Sequence, residues 1–134
     1  MTGFRKRRIL VVEDEPSVLT TYQMVLEQKG YEVVPARSSQ QAFRALESER
    51  LDLLLCDLSL EGKQSGFEVL EYARRQQPAL PGLLLTGYVS QDIGDRAQLN
   101  GITVLFKPID IEEFLDTIAA QLRSADEQAK ASDR

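Results

Sequence analysis

Five short apolar runs, separated by stretches with helical periodicity, limit what this chain can fold into. They fall at 8–12, 31–35, 51–57, 82–86 and 102–106. Three contain unbroken apolar stretches: ILVV (9–12), LLLC (53–56) and LLL (83–85). A strand with one wet face alternates apolar and polar residues. An unbroken run marks a strand buried on both faces, as in a parallel sheet covered by helices. Strand and helix repeated five times predict a doubly wound α/β sandwich with right-handed crossovers.

The intervening segments carry helix signals. Pro16 suits the first turn of helix 1, Val18, Tyr22, Val25 and Leu26 make its apolar stripe, and Gly30 ends it. Ser38 followed by Gln41 has capping-box spacing for helix 2. Helix 3 follows Gly66, presents Phe67, Leu70 and Ala73, and stops at Pro78. Helix 4, capped by Ser90, is the weakest because Gly94 lies inside it, at about 1 kcal/mol relative to alanine. Helix 5 opens at Asp110 with Glu113 completing a capping box, and Ile111, Leu115, Ile118 and Leu122 line one face. Residues 1–7 form a basic lead-in. Residues 123–134 contain no large apolar side chain and are expected to be a solvated tail, helical or disordered.

The composition, 43% hydrophobic and 28% charged, is that of an ordinary globular domain. No apolar run approaches the roughly 20 residues of a membrane span. The four-residue stretch after the basic lead-in is too short for a signal-peptide core, and the single Cys56 fits a reducing compartment, so a cytoplasmic location is expected. A formal charge of −5 argues against direct nucleic-acid binding, with the basic run 5–8 read as a solvated approach to the first strand. The chain has no histidine, which excludes Ser-His-Asp and Cys-His catalysis, histidine metal sites and an internal phosphohistidine. Cys56 is read as a small core hydrophobe.

The chemistry-bearing residues fall at the carboxyl ends of the strands: Glu13-Asp14, Asp57, Thr86 and Lys107. Ligands of open α/β sheets bind in the crevice at those ends. With strand order 2-1-3-4-5, strands 1 and 3 are neighbours, and Glu13, Asp14 and Asp57 should crowd one spot. Three carboxylates together require either a proton or a cation. Hard oxygen ligands in small number suit Mg²⁺. Lys107 is then the fixed counter-charge of an acidic pocket, with Pro108 turning the chain behind it.

This set resembles the receiver domain of bacterial two-component response regulators, of the chemotaxis-regulator type. The stretches that carry the resemblance are ILVVEDEP (9–16), LLLCD (53–57), GFEVL (66–70), LLLTG (83–87) and FKP (106–108), within a domain at 8–122. The resemblance implies a flavodoxin-like (βα)5 fold. It implies that Asp57 is the phosphoacceptor and that Glu13, Asp14, Asp57 and the Ser59 backbone carbonyl hold Mg²⁺. It also implies that Thr86 and Lys107 engage the phosphoryl group, and that Lys107-Pro108 is a cis peptide. The donor would be a sensor histidine kinase or histidine phosphotransfer protein. The domain would catalyse its own phosphorylation and dephosphorylation while acting chiefly as a signalling switch. Its output or effector partner is not named by the sequence. Dimerisation through helix 4, strand 5 and helix 5 is a habit of the family. The tail is either the end of a stand-alone regulator or a linker cut before an output domain.

The chain departs from the family pattern in three places. Val104 stands where the family carries its switch aromatic; Phe106, next to Lys107, is expected on the other sheet face from the lysine. The loop DLSLEGKQSG has Glu61 at a common proline position and is one residue longer than usual. Ser59 and Tyr88 occupy the positions that govern water access to the acyl phosphate, and a bulky Tyr88 would lengthen its life. Two other readings compete. A haloacid-dehalogenase-like phosphatase needs a second aspartate two residues after the nucleophile, where this chain has Ser59. A pseudo-receiver would keep the fold as a phosphorylation-independent interaction module.

Overall fold

The computed structural model describes residues 5–60, 65–87 and 90–132. In chain order the elements are β1 (Arg8–Val12), α1 (Pro16–Gln28), β2 (Glu32–Ala36), α2 (Ser39–Ser48), β3 (Leu53–Asp57), α3 (Gly66–Gln76), β4 (Gly82–Thr86), α4 (Gln91–Leu99), β5 (Thr103–Phe106) and α5 (Ile111–Ser132). The strands form one parallel sheet in the order β2-β1-β3-β4-β5, as expected. β3 and β4 are buried at every position, which is what their unbroken apolar runs require. Pro35 lies in β2, at the sheet edge, where a missing N–H breaks no inner ladder.

The period-2 alternation of the strands splits the core into two layers. Ile9, Val11, Leu53, Leu55, Leu83, Leu85 and Leu105 pack under α1 and α5, against Leu19, Tyr22, Leu26, Phe114, Ile118 and Leu122. Leu10, Val12, Leu54, Cys56 and Leu84 pack under α2, α3 and α4, against Ala42, Leu46, Phe67, Leu70, Ile93 and Ala97. Each fully buried large side chain contributes about 1.5–3 kcal/mol relative to exposure.

Local signals place the helices. Ser38 Oγ accepts the Gln41 N–H at 3.1 Å, Ser90 Oγ the Ile93 N–H at 3.2 Å, and Asp110 Oδ1 the Glu113 N–H at 3.0 Å. Gly30 adopts φ +88° just beyond α1, a conformation that disfavours any side chain.

Several details differ from the sequence reading. β3 begins at Leu53 rather than at 51, because Asp52 turns its carboxylate onto the Arg8 N–H at 2.8 Å. β2 is displaced by one residue, and β5 begins at Thr103. On α5, Ile111 is 43% exposed and the fully buried Phe114 takes the core position. The stretch after Leu122 is helical to Ser132, the first of the two states the sequence allows, and Asp126 within it pairs with Arg7. The basic lead-in is not merely solvated: Arg5 pairs with Asp52, and Arg8 with Glu32 and Glu49.

Candidate functional site

Parallel strands bring their carboxyl ends to one edge, and β1, β3 and β4 are consecutive neighbours there. Glu13 directly follows β1, and its N–H donates to the Ala36 carbonyl at 3.0 Å. Asp57 ends β3, and Thr86 ends β4. Lys107 follows β5, and its N–H donates to the Thr86 carbonyl at 2.8 Å, so these two residues share one backbone bond. The Lys107-Pro108 peptide is cis.

The side chains of Asp57 and Lys107 form a short, direct ion pair. The Lys107 ammonium also lies 4.0 Å from Glu13 Oε1. Asp57 Oδ1 accepts the Ser59 N–H at 3.0 Å, and Glu13 Oε2 accepts the Glu15 N–H at 3.1 Å. Glu13 Oε1 is buried and has no hydrogen-bond partner among the described residues. Thr86 is buried, Asp14 half-buried and Ser59 exposed.

Burial, followed by the adjacent Asp57 carboxylate, pushes the Glu13 carboxyl up to about 8; the Glu15 N–H and the Lys107 charge act the other way. Burial alone would lower Lys107, but its bond to Asp57 and the surrounding negative charge raise it above its ordinary value. The Cys56 thiol is driven well upward by complete burial and then by Asp57 and Glu13, which leaves it an inert core side chain.

The expected crowding of three carboxylates is only partly realised. Among the described residues no three Asp, Glu, His or Cys side chains gather closely enough to form a ready-made metal site. Lys107 instead takes Asp57, in keeping with the mutual repulsion of carboxylates. The donor set nevertheless fits a hard cation. It consists of oxygens, and the orphaned Glu13 Oε1 is a buried acceptor in want of positive charge.

The remaining sequence-predicted positions are distributed as follows. Val104 is partly buried against the α2–α3–α4 layer. Phe106 pairs in register with Thr86, is 47% exposed, and alternates with the buried Leu105 of the other face. Tyr88 and the 61–64 part of the β3–α3 loop lie outside the described residues. One residue that abuts the site escaped the sequence reading as part of it. Gly66 was legible only as a helix boundary, yet it packs against the backbone of Asp57 and Leu58. A cleft of about 450 Å³ between Arg5, Arg50, Leu80 and Ala125 lies at the opposite end of the sheet and shares no residue with this site.

Comparison with known proteins is consistent across sequence and structure. Residues 9–119 match the family model described as "Response regulator receiver domain". The chain is 34% identical over 122 residues to the alginate biosynthesis transcriptional regulatory protein AlgB of Pseudomonas aeruginosa, covering 90% of this chain and 27% of that protein. It is 33% identical over 128 residues to the alkaline phosphatase synthesis transcriptional regulatory protein PhoP of Bacillus subtilis, covering 95% of this chain and 53% of that protein. The chain thus spans about a quarter to a half of the length of these relatives. Its backbone superimposes with a TM-score of 0.87 on a CheY-like response regulator receiver domain protein from Methanospirillum hungatei, at 28% identity, covering 92% of this chain and 99% of that one.

Proposed function

Because the chain belongs to the response regulator receiver domain family of two-component systems, we propose that it is a working phosphoacceptor, with Asp57 as the nucleophile. The observation that carries this reading is the Asp57–Lys107 ion pair beside the buried Glu13 Oε1, which has no hydrogen bond among the described residues. It supplies a carboxylate nucleophile, a fixed cation and a deficit of positive charge in one crevice.

In the proposed reaction an Asp57 oxygen forms a bond to phosphorus as the P–N bond of a partner's phosphohistidine breaks. The departing imidazole nitrogen then carries the electron pair. Asp57 Oδ1 accepts the Ser59 N–H, and Oδ2, which holds the Lys107 ammonium in the resting site, would attack as the lysine shifts to the phosphoryl group. Glu13, Asp14, Asp57 and the Ser59 backbone carbonyl are the groups that would hold Mg²⁺. When bound, that ion neutralises charge on the phosphoryl oxygens. Lys107 passes from the Asp57 carboxylate to a phosphoryl oxygen, and the Thr86 hydroxyl donates to another. The shared backbone bond between Lys107 and Thr86 makes these displacements concerted at the ends of β4 and β5. The surface of α4, β5 and α5 is the element they bias, through the loop and helix rather than an aromatic at Val104. That surface would engage an effector or output domain, or a second copy, in the cytoplasm. Tyr88 and Ser59 would set the lifetime of the acyl phosphate.

The test is incubation with Mg²⁺ and acetyl phosphate followed by intact mass, beside Asp57→Asn. A Mg²⁺-dependent gain of one phosphoryl group, absent from the variant, is expected. No gain, together with no binding of beryllofluoride, would instead leave a phosphorylation-independent interaction module.

A further inference from the structure

We propose that Arg96 latches α4 to α3 while Lys107 rests on Asp57, and that phosphorylation must release this latch, an inference that deepens the proposed function and rests on the reading of Asp57 as phosphoacceptor.

α3 turns one stripe toward α4. Phe67, Glu71 and Arg74 stand at i, i+4 and i+7, and each meets the neighbouring helix. Arg96 Nε and Nη2 donate to the two Glu71 carboxylate oxygens at 3.1 and 3.0 Å. The same guanidinium lies over the Phe67 ring, 4.4 Å from its centroid. Arg74 ties the far end. It donates to the Pro78 carbonyl at 2.9 Å and to the Asn100 carbonyl at 3.0 Å, and Asn100 closes α4 by donating its side-chain amide to the Arg96 carbonyl at 2.8 Å. α4 is thus pinned at its C-terminus by Arg74 and held at its middle by Arg96.

α4 has little else to hold it. It buries only Ile93 and Ala97, whereas α3 buries Phe67, Val69, Leu70 and Ala73. Its Leu99 points to solvent, and Gly94 weakens the helix from within. An exposed ion pair by itself contributes little. Here a two-pronged carboxylate contact and a cation–π contact act through one side chain, on a helix with two core residues.

The latch is referred to the phosphoacceptor. Phe67 directly follows Gly66, whose N–H is bonded to the Leu58 carbonyl at 2.9 Å and whose Cα abuts the Asp57 backbone. The ring under Arg96 is therefore fixed relative to the end of β3. On the proposed function the Thr86 hydroxyl moves to the phosphoryl group. α4 begins at Gln91, soon after Thr86 in the chain, so that movement bears on the end of α4 that Arg74 does not pin. Arg96 opposes it. A contact made in one of two states lowers the apparent affinity of any ligand that needs the other.

Arg96→Met keeps a long apolar stem and removes the guanidinium; Glu71→Gln removes the carboxylate. With Mg²⁺, each should bind beryllofluoride about three- to tenfold more tightly than the parent in calorimetric titration, the worth of the released contacts. The double variant should bind no more tightly than Arg96→Met. The two substitutions remove opposite charges, so a simple field effect at Asp57 would shift them in opposite directions. Beryllofluoride should also speed amide exchange across residues 91–99 in the parent, and Arg96→Met should show the faster exchange before it is added. Binding within twofold of the parent or weaker in either variant, or exchange in the parent that beryllofluoride does not raise, overturns the proposal and leaves Arg96 a surface contact. A parent protein that takes neither phosphoryl group nor beryllofluoride overturns the receiver reading, and this inference with it.

Discussion

Gly66→Ala tests how tightly β3, which ends on the proposed phosphoacceptor Asp57, is braced. Gly66 opens α3, and its N–H donates to the Leu58 carbonyl at 2.9 Å. A Cβ at this position would stand 2.3 Å from the Asp57 carbonyl oxygen, 2.7 Å from Leu58 Cα and 3.0 Å from the Asp57 carbonyl carbon. All three are backbone atoms, so no rotamer change relieves the contact. Ordinary contacts between such atoms lie near 3.5 Å, and the two segments must part by about 1 Å. Overpacking costs about 1–3 kcal/mol, and a clash with fixed backbone belongs at the upper end. At about 3 kcal/mol the melting temperature should fall by roughly 10 °C. If the Asp57–Leu58 segment yields rather than α3, the nucleophile moves with it, and a displacement of about 1 Å costs on the order of 100-fold in rate. Thermal unfolding by circular dichroism and acetyl phosphate labelling, measured where both proteins are folded, read the two effects. A melt within about 2 °C of the parent, with the parent's labelling rate, would refute the packing argument.

Three further predictions follow from other parts of the molecule. Gly94→Ala meets nothing within 4 Å and lies inside α4, so it should stabilise the fold by about 0.5–1 kcal/mol in urea titrations. The Glu13 carboxyl holds its proton to about 8 in the fold against an ordinary 4.5, so its stabilising contribution is complete below the ordinary value and is lost as pH rises through the folded one. Glu13→Gln in EDTA should therefore gain on the parent as pH rises across that window; parallel stability curves would contradict it. Asp52→Ala leaves the Arg8 N–H and two arginines without their shared carboxylate, and should cost about 1–3 kcal/mol in chemical denaturation without slowing phosphorylation of Asp57.

What the sequence disclosed and what it hid divide along one physical line. Runs such as LLLC and LLL announce strands buried on both faces, because burial is a property of the run itself. Ser38, Ser90 and Asp110 announce helix starts, because their partners lie three residues away. The acidic pair, Asp57, Thr86 and Lys107 were legible because each stands at the end of its own strand. The misread features depend on partners distant in the chain. Asp52 was taken as strand until Arg8, forty-four residues earlier, claimed its carboxylate. Arg7 was taken as solvated, but its partner Asp126 is 119 residues away. Ile111 and Phe114 are both apolar and lie three residues apart, and it is Phe114 that enters the core, where it stacks on the ring of Tyr22, ninety-two residues earlier.

The two ends of the sheet show how the same kinds of residue become scaffold or switch. At the amino end Arg5, Arg7 and Arg8 meet Asp52, Glu32, Glu49 and Asp126, with each arginine paired. That network can gain little from any added charge. At the carboxyl end Glu13 and Asp57 share one lysine, and the Glu13 Oε1 atom is buried without a hydrogen bond among the described residues, a cost of about 1–3 kcal/mol. A site left in that condition responds to whatever changes its charge. On the proposed function, a cation would relieve Glu13, while a phosphoryl group on Asp57 would draw Lys107 away from the carboxylate it now holds. Each event alters the field in which the other occurs, so by linkage a cation that favours phosphorylated Asp57 must be bound more tightly by it. The Lys107–Thr86 backbone bond joins the ends of β4 and β5 at the point where the proposed displacement of the lysine would begin. The responsiveness proposed for this protein therefore rests on an incomplete set of charges, held at the edge of a sheet whose strands β3 and β4 are buried at every position.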